Sequence, residues 1–105
     1  MYSAVEPEVQ STIDATLQQF VAAQAPGAVR FDHVSTRRAG QRQFVDMHLH
    51  MPADWTLRHA AELRGQVERA LMTAVPGLRA TIELLPTDVE AHFDDPRDDM
   101  KDAMK

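Results

Sequence analysis

The chain has no cysteine. Disulfides and thiolate metal centres are therefore excluded, and any metal-binding site must be built from His, Asp, Glu and water. Aromatic residues are scarce at 6%, with one Trp and one Tyr. Long apolar runs are missing too, none approaching the roughly 18–20 residues that cross a bilayer. Met1-Tyr2-Ser3 is not followed by a basic patch and an apolar run, so no signal peptide is expected and the cytosol is the default compartment. Positive charge is in deficit, with 11 Lys and Arg against 16 Asp and Glu and a formal net charge of -5. Such a surface disfavours nucleic acid and anionic membranes and suits cations. There is no glycine-rich phosphate loop and no Ser in a nucleophile turn, so an enzyme is not expected.

What is present is one compact domain's worth of chain: 105 residues, 44% hydrophobic. Its most informative stretch is Gln43-Phe44-Val45-Asp46-Met47-His48-Leu49-His50-Met51. Val45, Met47, Leu49 and Met51 alternate with Phe44, Asp46, His48 and His50, which is the period of a strand. One face is aliphatic and thioether; the other carries a carboxylate and two imidazoles. Residues two apart on a strand lie roughly 6.5–7 Å apart. Side chains at that spacing can converge on one cation or serve two neighbours, and Asp and His ligate divalent transition metals well.

The remaining chain supports this strand. Pro7 suits a helix start, and Val9, Ile13, Leu17, Phe20 and Val21 form an apolar stripe that should end near Gln24-Ala25-Pro26-Gly27. Residues 28–37 predict a strand with imperfect alternation. Ala39-Gly40 should turn it into a hairpin, placing Asp32 and His33 across from the Asp46–His50 region. Asp54 or Thr56 can cap a second helix whose buried stripe is Ala60, Leu63, Val67, Ala70, Leu71 and Ala74, ended by Pro76-Gly77. Residues 80–85 predict a third strand closed by Pro86. The order α-β-β-α-β, with both helices on one face of a three-stranded sheet, is an α+β two-layer open sandwich. The His-bearing face should be free, which suggests a second copy as partner. Residues 1–86 would form the domain. Residues 87–105, rich in Asp and carrying His92, would form an acidic, flexible tail.

Several stretches resemble the cytoplasmic C-terminal domain of cation diffusion facilitators, which are divalent-metal/proton antiporters. They are Pro26-Gly27, Val34-Ser35-Thr36-Arg37-Arg38-Ala39-Gly40, Phe44-Val45-Asp46-Met47-His48-Leu49, Thr56-Leu57, Gln66-Val67-Glu68, Pro76-Gly77 and Thr81-Ile82-Glu83. The resemblance covers roughly residues 5–86 and implies a metallochaperone-like (ferredoxin-like) fold. It also implies a homodimer in the cytosol and binding of Zn2+, or of Cd2+, Co2+, Ni2+, Mn2+ or Fe2+, near the dimer interface. By position it makes His48 a ligand. Asp32 stands where many members have a ligand histidine, Glu83 where the last strand often has His, and Asp46 at a position that some members use. The helix histidine usual in the family is Ala61 here, with His59 nearest, and an acidic ligand after the last strand is replaced by Leu85.

Together these readings give His48, Asp32, His33, Asp46, His50, Glu83 and His59 as candidate metal ligands. The expected function is a regulatory and dimerisation domain. Carboxylates of two copies repel and hold the dimer open; a divalent cation removes that repulsion, closes the dimer and activates metal efflux by a transmembrane domain of the same transporter. Imidazoles ligate only when neutral, so affinity should fall below about pH 6.5. The alternatives are a stand-alone soluble metal buffer or carrier of the same fold, and a metal-independent dimerisation module.

Overall fold

A computed structural model describes residues 2–87. The acidic stretch beyond them, with His92 and the predicted tail, lies outside the described residues. In chain order the elements are β1 (Tyr2–Ser3), α1 (Pro7–Ala22), β2 (Arg30–Ala39), β3 (Arg42–Met51), α2 (Leu57–Ala74) and β4 (Leu78–Pro86). The predicted order α-β-β-α-β and the α+β class are those found. The addition is β1, a two-residue strand on the edge beside Ala39 and Arg38, too short to carry a periodic signal.

Local chemistry sets the boundaries. Pro7 opens α1, where its missing N–H costs no helical hydrogen bond. This helix stops at Ala22 with Ala23 as its C-cap, next to the expected Gln24-Ala25-Pro26-Gly27, where Gly27 takes φ 75. The Thr56 hydroxyl accepts from the His59 N–H at 3.0 Å and caps α2, settling the choice between Thr56 and Asp54. The hairpin turn falls at Gly40-Gln41, one residue later than expected, since Ala39 still pairs with Arg42. Gly40 takes φ 62 at the first turn position, which a residue with a Cβ resists.

The sheet order is β1-β2-β3-β4, so β3 is fully flanked. β2 and β3 run antiparallel, while β4 returns parallel to β3 after the α2 crossover. Both helices lie on one face. Ile13 and Leu17 of α1 and Leu63, Val67 and Leu71 of α2 pack with Val45, Met47, Leu49 and Ile82 of the sheet. Burying each such side chain fully contributes about 1.5–3 kcal/mol, which explains why the alternation in β3 is kept without a break.

β2 does break its alternation. Asp32 pairs with His48 and Ser35 with Asp46, so His33 and Val34 together face Met47 alone. This is a β-bulge. His33 sits at φ 50, in the left-handed region that a non-glycine side chain enters at a cost of about 1–2 kcal/mol. A strict period of two would put Asp32 and His33 on opposite faces. The bulge turns both away from the helices while Phe31 and Val34, three apart, both pack toward them.

Candidate metal centre

The face of the sheet away from the helices brings three donors together: Asp32, His33 and His48. Each is placed by a different backbone device. His48 follows from the alternation of β3, Asp32 from its register opposite His48, and His33 from the bulge. His33 Nδ1 lies 3.1 Å from His48 Nδ1 and 3.3 Å from Asp32 Oδ1, and His48 Nδ1 lies 3.6 Å from the same oxygen. Ligand atoms at zinc bond lengths of about 2.0–2.1 Å are about 3.3 Å apart in a tetrahedral shell. The triangle of donors therefore has the size of one face of that tetrahedron, and the donor types fit a divalent transition metal.

The surroundings aim these atoms. His48 Nε2 is 3.1 Å from Glu83 Oε2, the residue beside it in the parallel ladder. An ionised carboxylate only accepts, so Nε2 carries the hydrogen and the neutral ring keeps its Nδ1 lone pair toward His33 and Asp32. Asp32 Oδ2 is 3.0 Å from Arg30 Nη1, and His50 Nε2 bridges both carboxylate oxygens at 3.0 and 3.1 Å, with Oδ1 also facing the imidazoles of His33 and His48. His33 is more than half exposed, whereas the His48 side chain is 16% exposed. A recess of about 140 Å³ opens here, lined by His33, Asp46, Met47, His48, Thr81 and Glu83.

The other candidates are placed differently. Asp46 lies in the same recess but is ion-paired with Arg37, whose guanidinium also sits 4.9 Å from the centre of the Phe44 ring. His50 shares the outward face of β3, as expected, but that face is not free at its position: the ring is 0% exposed, enclosed between Asp32 and the Pro86 carbonyl. His59 belongs to α2, in the other layer. Its ring stacks on Trp55 at 3.8 Å between centroids, apart from the cluster. The arginine partners of Asp32 and Asp46 were not expected. The bulge had a signal in the sequence: Phe31 and Val34 are both apolar at an odd spacing, which a regular strand with one buried face does not favour.

Comparison with known proteins places the chain in a family. The family model described as cation efflux protein, cytoplasmic domain, matches residues 7–87. The cation-efflux pump FieF of Yersinia pestis is 32% identical over 109 residues, covering 90% of this chain and 36% of the pump. A transporter of Synechocystis, sll1263, is 34% identical over 58 residues, covering 55% of this chain and 19% of that protein. The chain thus spans about a third or less of the length of these curated relatives. Among solved structures, the Zn form of CzrB superposes with a TM-score of 0.70 at 35% identity, covering 84% of this chain and 97% of that one. The metal-bound C-terminal domain of the CzcD transporter from Thermotoga maritima shares the fold at 20% identity, with a TM-score of 0.68 and coverage of 80% and 93%. Element order, family match and superposition converge: this chain belongs to the family of cytoplasmic domains of cation efflux proteins.

Proposed function

We propose that the chain is the regulatory and dimerisation domain of a divalent-cation efflux transporter, and that it holds a divalent transition metal, with zinc the first choice, through Asp32, His33 and His48. The observation that carries this reading is the donor triangle of 3.1, 3.3 and 3.6 Å, matched to a tetrahedral face. The Zn form of CzrB, at 35% identity, supports zinc. His33 Nδ1 faces both a carboxylate oxygen and the lone pair of His48, so in the metal-free protein it carries the shared hydrogen. Moving that hydrogen to Nε2 exposes a third lone pair without changing the charge of the ring. Three protein donors leave one position of a tetrahedron for water or for a group of a second copy.

The site lies on the sheet face that the helices leave uncovered, which suits an interface between two copies. Asp32 and Glu83 of two such faces repel each other. Ligation offsets that repulsion and favours the closed pair, so closure is selected by its higher affinity for the cation. In the full transporter this shift in population would be passed to the membrane part and raise efflux.

Calorimetric titration with zinc in a non-chelating buffer tests the reading. Wild type should bind at micromolar or tighter dissociation constants, and His48→Ala should bind at least about 100-fold more weakly, a loss of about 2.7 kcal/mol. Equal binding by the two proteins, or no heat in either, would remove the site from β3. Small-angle scattering with and without zinc tests closure separately, through the expected compaction of the dimer.

A further inference from the structure

His50 is the most enclosed polar side chain near the cluster, with 0% exposure. Its Nε2 contacts both oxygens of Asp32, at 3.1 Å to Oδ1 and 3.0 Å to Oδ2, and its Nδ1 lies 3.2 Å from the Pro86 carbonyl oxygen. Both partners accept and cannot donate. A neutral ring carries a single hydrogen, and the carboxylate is a stronger acceptor than the carbonyl, so the nitrogen facing Asp32 is the one that donates. No lone pair of His50 points at the donor triangle. We infer that His50 is not a metal ligand but a positioning residue, which clamps the Asp32 carboxylate so that Oδ1 faces His33 and His48. The inference rests on the metal-binding role of Asp32, His33 and His48 proposed above.

The clamp has two arms of different character. Arg30 reaches Asp32 Oδ2 from the rim, on a side chain that is 45% exposed. Such an exposed pair is screened by water and loose in geometry. His50 reaches the carboxylate from below, on a ring with no exposure, so its hydrogen bond is stronger and its direction fixed. The ring is fixed in turn by the end of β4, since Pro86 pairs with Met51 in the ladder and lends its carbonyl to Nδ1. One buried imidazole thus ties a donor on β2 to the last residue of β4 through β3. Residues that orient ligands in this way typically change metal affinity 10–100-fold when removed.

The test compares wild type, His50→Gln and His50→Leu. Glutamine can place an amide N–H near the position of Nε2; leucine cannot. Zinc titrations should show His50→Gln within about threefold of wild type and His50→Leu 10–100-fold weaker. The visible spectrum of the Co2+ form should have the same band positions in all three, because the ligand set is unchanged. Imidazole 15N spectra of wild type should show His33 and His48 nitrogens moving to metal-bound shifts on zinc addition, with both His50 nitrogens remaining hydrogen-bonded and unligated. A metal-bound shift on His50, an altered Co2+ spectrum in His50→Leu, glutamine as weak as leucine, or leucine as tight as wild type would each overturn the inference. If wild type binds zinc through His33 and His48 and any of these outcomes is seen, the metal site stands and the clamp falls. If wild type shows no saturable binding, both fall.

Discussion

β3 has two faces with different physics, although they share one backbone. Val45, Met47 and Leu49 are buried against both helices, where each is held by many weak contacts and an apolar replacement of similar volume costs little. Asp46, His48 and His50, interleaved with them, are held by a few directed contacts: Arg37 for Asp46, Glu83, His33 and Asp32 for His48, Asp32 and Pro86 for His50. Volume decides on the first face and atom identity on the second. The comparison teaches that stability and the proposed metal binding rest on different residues of one strand, so substitutions should separate them.

The largest expected effect attacks the first face. Leu49→Ala leaves a cavity between sheet and helices, and its cost of about 2–5 kcal/mol should appear as a fall of many degrees in Tm by calorimetry. Because that loss acts through the fold, zinc affinity measured well below the lowered Tm should stay close to wild type. A large loss of affinity in a folded Leu49→Ala protein would show the faces to be coupled.

The next effect sharpens the comparison from the other side. His33→Gly relieves the left-handed backbone at φ 50 and removes one donor. Urea unfolding should show stability equal to wild type or higher by up to about 1 kcal/mol, since strain relief is partly offset by the entropy of glycine. Zinc binding should weaken at least about tenfold, or about 1.4 kcal/mol, in the same protein. A destabilised His33→Gly that binds as before would invert the assignment of strain and ligation at this position.

The smallest effect is a control placed away from both faces. Thr56→Ala removes the hydroxyl that caps α2 and should cost about 1 kcal/mol of stability with no change in zinc affinity. An affinity change there would tie the helix end to the donor cluster, which the structure does not do.

The periodic elements were legible because burial of one face selects apolar residues at a fixed spacing. The stripe Val9, Ile13, Leu17 and the alternation Val45, Met47, Leu49 located α1 and β3 directly. The donor cluster was legible in part: Asp32, His33 and His48 could be placed near one another through the hairpin. What the sequence could not order was the set itself. Asp32 faces the imidazoles because the ladder sets it opposite His48, while Asp46 pairs with Ser35 and is held by Arg37, and neither the bulge that fixes this register nor the arginine pairing is a periodic signal. His50 looked equivalent to His48 because alternation gives both the same face. Their difference comes from the Pro86 carbonyl at the end of β4, a neighbour 36 residues away. His59 was drawn in by chain distance to Ala61, but α2 lies in the other layer and carries it elsewhere.

The bulge at His33 has a consequence for inheritance. Phe31 and Asp32 before it, and Val34 and Ser35 after it, would fall into one regular ladder opposite Leu49, His48, Met47 and Asp46 if His33 were deleted. A slip of one residue in a strand ordinarily turns every later side chain to the wrong face. Here the surplus residue is absorbed where it stands. The third donor is therefore worth a single codon, one that a lineage could insert or lose while every other side chain of the hairpin keeps its place.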